Sequence, residues 1–292
     1  MTAPENSLKI ISTAKAGGYD IPGHPEHPLR VLRSLEHLKS LLPAVLFHEP
    51  QVAPLEKIRA VHDEKVVQLV EKEGYFDPDT PGASGIWECS LLSAGAALQA
   101  ASDGLKGTKA FSLMRPPGHH ATPHRGMGFC YFNSMAVAIQ DVSQRKLARK
   151  VAVLDLDCHH GNGTEDFCLG KEEFMYVSLH QFPAYPGTGR QSRANCVNYP
   201  LAPGTGEGDY FPAMESAMKK IREFKPDLLG VSMGFDTYEK DPLTQFGLVK
   251  KDYRKMGKWI KDFGLPAFAL LEGGYHDDLP YLIEEFLMGW AG

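Results

Sequence analysis

Apolar positions along the chain follow two alternating periods. Short runs rich in Val, Ile, Leu and Phe at 8–12, 110–114, 151–157, 174–180, 228–233 and 266–271 read as buried strands. Between them apolar residues recur at helical spacing. Leu29, Leu32, Leu35, Leu38 and Leu42 share one face of a segment that starts near Pro28, and 85–102, 131–148, 211–224, 250–263 and 279–290 also read as helices. This alternation predicts an α/β fold with parallel strands and helices on both faces of the sheet. Proline and glycine act as turn punctuation, and no repeat or compositional shift marks a boundary, so residues 1–292 read as a single domain. Such sheets bind ligands outside the carboxyl ends of their strands, which makes the polar residues after each apolar run the ones to inspect.

The composition narrows the class. The chain is 43% hydrophobic and 23% charged with a formal net charge of -5. Those values exclude disordered and fibrous classes and disfavour a general nucleic-acid binder. No apolar run approaches the roughly 18 residues of a membrane span. Residues 1–7 are polar, contain Pro4 and lack the apolar core of a secretory leader. Five cysteines without a CxxC pair fit reduced thiols. The expectation is a cytoplasmic protein without nucleic-acid or membrane partners, its oligomeric state unknown.

Four strand ends carry chemistry. In Val151-Ala152-Val153-Leu154-Asp155-Leu156-Asp157-Cys158-His159-His160-Gly161-Asn162, strand alternation points Asp155, Asp157 and His159 the same way. Two carboxylates and an imidazole together require a counter-charge, and that donor mix suits zinc or another transition metal. A buried Asp bonded to loop backbone explains one of these residues but not three. Asp236, after 228–233, would be a third protein ligand or merely a helix cap. His119 and His120 follow Pro116-Pro117-Gly118, a turn able to aim both rings into one pocket as acid and base, although a bare His-His pair also occurs by chance on surfaces. Tyr275 follows Glu272-Gly273-Gly274, either as an oxyanion donor or as a packed phenol after a glycine turn. Together the four clusters fit metal-assisted hydrolysis.

Arg115–His120, Gly128-Phe129-Cys130-Tyr131-Phe132-Asn133, Asp155–Gly163, Ser178-Leu179-His180, Pro186-Gly187-Thr188-Gly189, Gly234-Phe235-Asp236 and Glu272-Gly273-Gly274-Tyr275 resemble, in order, the zinc-dependent histone deacetylase family. Met127-Gly128-Phe129 and Glu272 resemble its class II branch, which includes bacterial deacetylase-like amidohydrolases and acetylpolyamine amidohydrolases. The resemblance implies an arginase-like fold with an eight-stranded parallel sheet. It implies zinc on Asp157, His159 and Asp236, with His119 and His120 activating water and protonating the leaving amine. Asp155 would orient His119, Asn162 would orient His120, and Tyr275 would polarise the carbonyl beside Gly273 and Gly274. Phe129 and Tyr185 would line a tube for a lysine-like chain, with Asp79 at its rim. A structural potassium would sit on Asp155, Asp157, His159, Ser178 and Leu179. Arg30 resembles an arginine beside an internal acetate channel, though read alone it equally fits a surface helix.

The implied substrate is an acylated lysine or small acylated amine, most readily the acetyl-lysine side chain. The alternatives are an acetylpolyamine amidohydrolase and, more distantly, a non-catalytic acyl-lysine or zinc-binding module. Departures bear on this choice. The 181–185 loop is short and offers Tyr185 where many members have Phe. Leu243 stands where a polyamine-selective member places an acidic gatekeeper. After His159 come His160 and Gly161 rather than the extra Asp of a binuclear arginase site, which favours one catalytic ion.

Overall fold

Eight parallel strands form one sheet in the order β2-β1-β3-β8-β7-β4-β5-β6. They are β1 (Leu8–Ile11), β2 (Phe47–His48), β3 (Lys109–Ser112), β4 (Val151–Asp155), β5 (Phe174–Gln181), β6 (Cys196–Leu201), β7 (Leu228–Met233) and β8 (Ala267–Leu271). The computed structural model describes residues 8–43 and 46–292, so the reading of 1–7 as free of a leader lies outside the described residues. The helices are α1 (Leu29–Leu41), α2 (Leu55–Arg59), α3 (Glu64–Glu71), α4 (Ile86–Gly104), α5 (Ser134–Gln144), α6 (Asn162–Cys168), α7 (Glu207–Phe224), α8 (Lys250–Phe263) and α9 (Leu279–Ala291). This is the expected eight-stranded parallel α/β architecture.

Both faces of the sheet are covered, and the register shows how. Ala110 pairs with Phe268 and Phe111 with Ala269 across β3 and β8. Phe268 therefore faces opposite to Phe111. A side chain at Gly104 of α4 would meet Phe268, whereas the ring of Phe111 lies 6.1 Å from that of Phe286 on α9. Every residue of β4, β5, β7 and β8 is buried. Continuous apolar runs, rather than alternating ones, follow from that two-sided burial.

The sequence reading missed the two edge strands and three short helices, α2, α3 and α6. β2 is two residues long, and β6 contains Pro200 and alternates in burial, as an edge strand can. α2 and α6 have five and seven residues, too few for a periodic signal. The segment read as 131–148 is helical only over Ser134–Gln144, where Asn133 caps the first turn by accepting from the Ala136 N–H. The four strands whose ends carry polar clusters, β3, β8, β7 and β4, are consecutive in the sheet.

Candidate active site

β4 stops at Asp155, two residues before the apolar run ends. Asp155 Oδ1 accepts the Asp157 N–H at 3.2 Å, which turns the chain, so strand alternation does not continue to His159. The expectation that Asp155, Asp157 and His159 share one direction is corrected accordingly. Asp155 Oδ2 instead meets His119 Nδ1 at 3.1 Å and accepts the Tyr176 hydroxyl at 2.9 Å. Asp157 and His159 converge with Asp236 from beyond β7, one donor atom of each lying within 4.8 Å of the others.

The chemistry of this triad fits a cation. His159 Nδ1 stands 2.8 Å from Asp236 Oδ2 and 3.2 Å from Asp157 Oδ1. Asp157 accepts the N–H groups of His159 and Gly273, and Asp236 Oδ1 accepts the Cys158 N–H. Asp236 Oδ2 is buried with no hydrogen bond of normal geometry, and its close polar neighbour is the His159 imidazole. Burial and the neighbouring Asp157 charge push the Asp236 carboxyl above the ordinary carboxylate range. Glycine lets the backbone close around the carboxylates: a Cβ at Gly234 would lie 2.3 Å from Asp157 Oδ2, and one at Gly273 2.6 Å from that same oxygen. Two buried carboxylates that share one imidazole lack a full counter-charge, which a bound positive ion would supply. Two carboxylates and one imidazole suit zinc with a coordination position left open. Among the described residues this is the one such group of three.

The paired histidines both face inward, their rings 4.0 Å apart. Their partners differ. His119 Nδ1 lies against the Asp155 carboxylate, whereas His120 Nδ1 lies 2.9 Å from Asn162 Oδ1. Burial works against a charged His119, but Asp157 and Asp155 raise it to about 10. His120 is driven well below the ordinary imidazole range by burial and by the charge of its neighbour His119.

Tyr275 is held through both its backbone and its ring. Its N–H donates to Asp241 at 2.8 Å, and the Arg30 guanidinium lies 4.7 Å from the centre of its ring. Arg30 also donates to the carbonyls of Glu272 and Gly274, both at 2.6 Å, and to Glu26 at 3.0 Å. Only 4% exposed, it is no surface arginine. Burial raises the Tyr275 hydroxyl well above its ordinary range, with Arg30 acting in the opposite direction. Gly273 commits its N–H to Asp157 and its carbonyl to the Phe235 N–H, while Gly274 has φ +119.

The predicted walls lie beside this centre. Tyr185 sets its ring 5.1 Å from that of His120, and Phe129 sets its ring 5.7 Å from that of Tyr275. Phe129 adopts φ +70, and its N–H is held by the buried Thr80 hydroxyl. A Cβ at Gly128 would lie 2.6 Å from the His120 ring, so no side chain fits there. Asp79 is exposed, with its carbonyl 3.3 Å from His24 Nε2. Leu243 is 43% exposed. Of the expected potassium residues, Asp155 and Ser178 are register partners, and Ser178 Oγ lies 2.8 Å from His180 Nδ1. Sequence reasoning gave no role to Glu26, Thr80, Tyr176, Asp241 or Glu272. For Glu272 a signal existed, a lone carboxylate abutting the apolar run Ala269-Leu270-Leu271.

Residues 24–287 match the histone deacetylase domain. The chain belongs to the histone deacetylase family. It is 34% identical over 296 residues to a probable deacetylase of Archaeoglobus fulgidus, covering 93% of this chain and 82% of that relative. It is 33% identical over 314 residues to an acetylpolyamine amidohydrolase of Mycoplana ramosa, covering 99% of this chain and 92% of that protein. The crystal structure of an acetylpolyamine aminohydrolase from Burkholderia pseudomallei superimposes with a TM-score of 0.87 at 28% identity, covering 98% of this chain and 99% of that one. This family member is thus an enzyme of the deacetylase and amidohydrolase class. None of its described helices is long and apolar enough to cross a membrane.

Proposed function

We propose that this enzyme hydrolyses the amide of an acylated primary amine borne on an aliphatic chain, with an acetylated polyamine or similar small amine as the foremost substrate. The observation that carries the reading is the meeting of a cation-demanding triad, two histidines with unlike partners and a tyrosine at the ends of four adjacent strands. Asp157, His159 and Asp236 would hold zinc. When bound, that ion supplies Lewis acidity toward the carbonyl and acidifies water.

The remaining steps belong to the protein. The Asn162 carbonyl oxygen only accepts, so His120 Nδ1 carries its hydrogen and leaves Nε2 bare. His120 Nε2 takes the proton of the attacking water and later returns it to the leaving nitrogen. His119, on its carboxylate, holds positive charge beside the reacting carbonyl. The Tyr275 hydroxyl donates to the oxygen on which negative charge develops. The walls Phe129 and Tyr185 exclude water from the aliphatic chain. A potassium on Asp155, Asp157, His159, Ser178 and Leu179, residence in the cytoplasm and one catalytic domain over 1–292 complete the reading. Five unpaired buried cysteines support the reducing compartment.

A second reading, the acetyl-lysine side chain, draws support from Leu243. This neutral, exposed rim residue has no charge to hold the distal ammonium of a polyamine. An acetylated diamine and an acetyl-lysine peptide should be turned over side by side, with and without chelator and zinc restoration. Chelator-sensitive preference for the diamine supports the first reading, and preference for the peptide supports the second. Silence on both from zinc-loaded protein would overturn the catalytic proposal.

A further inference from the structure

One buried carboxylate beside the site takes no part in the steps above. Glu272 is 1% exposed and follows directly on β8. Its Oε2 accepts the N–H groups of Gly118 at 2.7 Å and His119 at 3.2 Å, and its Oε1 accepts the Ser232 hydroxyl at 2.9 Å. The backbone of Glu272 is equally committed, its N–H to the Met233 carbonyl and its carbonyl to Arg30. The residues after it carry Gly273, bound to Asp157, and Tyr275.

The loop that Glu272 grips is confined on its other sides too. The His119 carbonyl accepts the N–H groups of Gly163 and Thr164 at the start of α6. A Cβ at Gly118 would lie 2.7 Å from the Ser134 nitrogen, so the loop rests directly on α5. Without the Glu272 carboxyl, two buried N–H groups on the side facing β8 would have no acceptor. Such groups carry an uncompensated desolvation cost and draw the chain toward another arrangement.

We infer that Glu272 is a positioning residue, whose side chain fixes the paired-histidine loop relative to the strand end that carries Tyr275. Proton transfer and oxyanion donation then act on one substrate carbonyl from groups clamped to a common residue. A misplacement of 1 Å at such a centre costs on the order of 100-fold in rate. The inference rests on the proposed hydrolysis for its kinetic consequence, though not for its structural one.

Two variants test it. Glu272→Gln keeps an oxygen for the Gly118 and His119 N–H groups and offers its NH₂ to the Ser232 hydroxyl, whereas Glu272→Ala removes every acceptor. On protein matched for zinc content and shown folded by its melting transition, Glu272→Ala should lower kcat about 100-fold with KM within about threefold. Glu272→Gln should stay within about fivefold of the parent, on that same scale. Amide hydrogen exchange over 117–120 should quicken in the Ala variant and return toward parental protection in the Gln variant. Gln as defective as Ala would assign the effect to charge and overturn the inference. It would equally fall if the Ala variant kept its kcat, or lost only KM. If the parent turns over no acylated amine, the hydrolytic reading fails, and unchanged exchange at 117–120 in the Ala variant would separately overturn the positioning role.

Discussion

Two buried ionic clusters lie side by side in this molecule, and they are built on opposite principles. Around Glu26, one carboxylate meets two guanidiniums. Arg115 donates to both of its oxygens at 2.8 Å, Arg30 donates at 3.0 Å and the Tyr19 hydroxyl at 2.5 Å. The remaining Arg115 and Arg30 donors reach the carbonyls of Ala16, Tyr19, Glu272 and Gly274. Burial alone would raise Glu26, but Arg115 and Arg30 hold it at about 2. Around Asp157 and Asp236, by contrast, two carboxylates crowd one imidazole. The first cluster leaves neither carboxylate oxygen unpaired and serves as scaffold. The second is incomplete without an added cation, and incompleteness at such depth marks it as the functional centre.

The contrast can be broken at its most sensitive point first. Chelation should reduce turnover to background, and zinc should restore the parent but not Asp157→Ala, as followed by metal analysis and rate together. Restored turnover in that variant would remove Asp157 from the ligand set. Next in size, Tyr275→Phe should lower the rate by roughly 10²–10³ while leaving metal content and melting temperature alone. Equal activity in that variant would strike the hydroxyl from the mechanism.

The clusters should then part in stability. Glu26→Ala strands two buried guanidiniums and should cost about 3–5 kcal/mol in chemical denaturation. Asp236→Asn relieves like-charge crowding, so in metal-free protein it should raise the melting temperature by a few degrees. A fall in both cases would show that the triad is as self-sufficient as the Glu26 cluster.

The most gradual effect concerns a scaffold group under the histidine loop. His62 accepts the Asn133 N–H at Nε2 and lies 3.0 Å from the Thr122 carbonyl through Nδ1. Burial lowers it to about 4. Its unfolded value is about 6.5, so the unfolded chain binds the proton first as pH falls. Stability from a neutral His62 is therefore present above about pH 6.5 and lost as pH falls toward 4, by at most about 1.4 kcal/mol per pH unit. Urea midpoints between pH 7 and 4 should decline less steeply in His62→Gln than in the parent. Parallel curves would exclude His62 as the source.

The sequence by itself determined the central strands, the long helices and the residue types at four strand ends. These signals are local. A strand buried on both faces is largely apolar, as β8 is throughout and β4 is up to Asp155, and a change to polar residues at its end is visible in one dimension. The two-residue β2, the edge strand β6 and the one- or two-turn helices lack the length for a period to emerge. Arg30 shows the limit at the site: helical spacing fits a surface or a buried position alike, and contacts 242 and 244 residues away decide it. Strand alternation misdirected Asp155 because its own carboxylate accepts the Asp157 N–H where β4 ends. Only the tertiary structure made Asp236 a partner of Asp157, separated the environments of His119 and His120, and set Glu272 against the histidine loop. Each of those outcomes depends on which strands become neighbours. Parallel pairing between β3, β8, β7 and β4 joins segments remote in the chain, and burial then turns their polar ends into a single electrostatic problem.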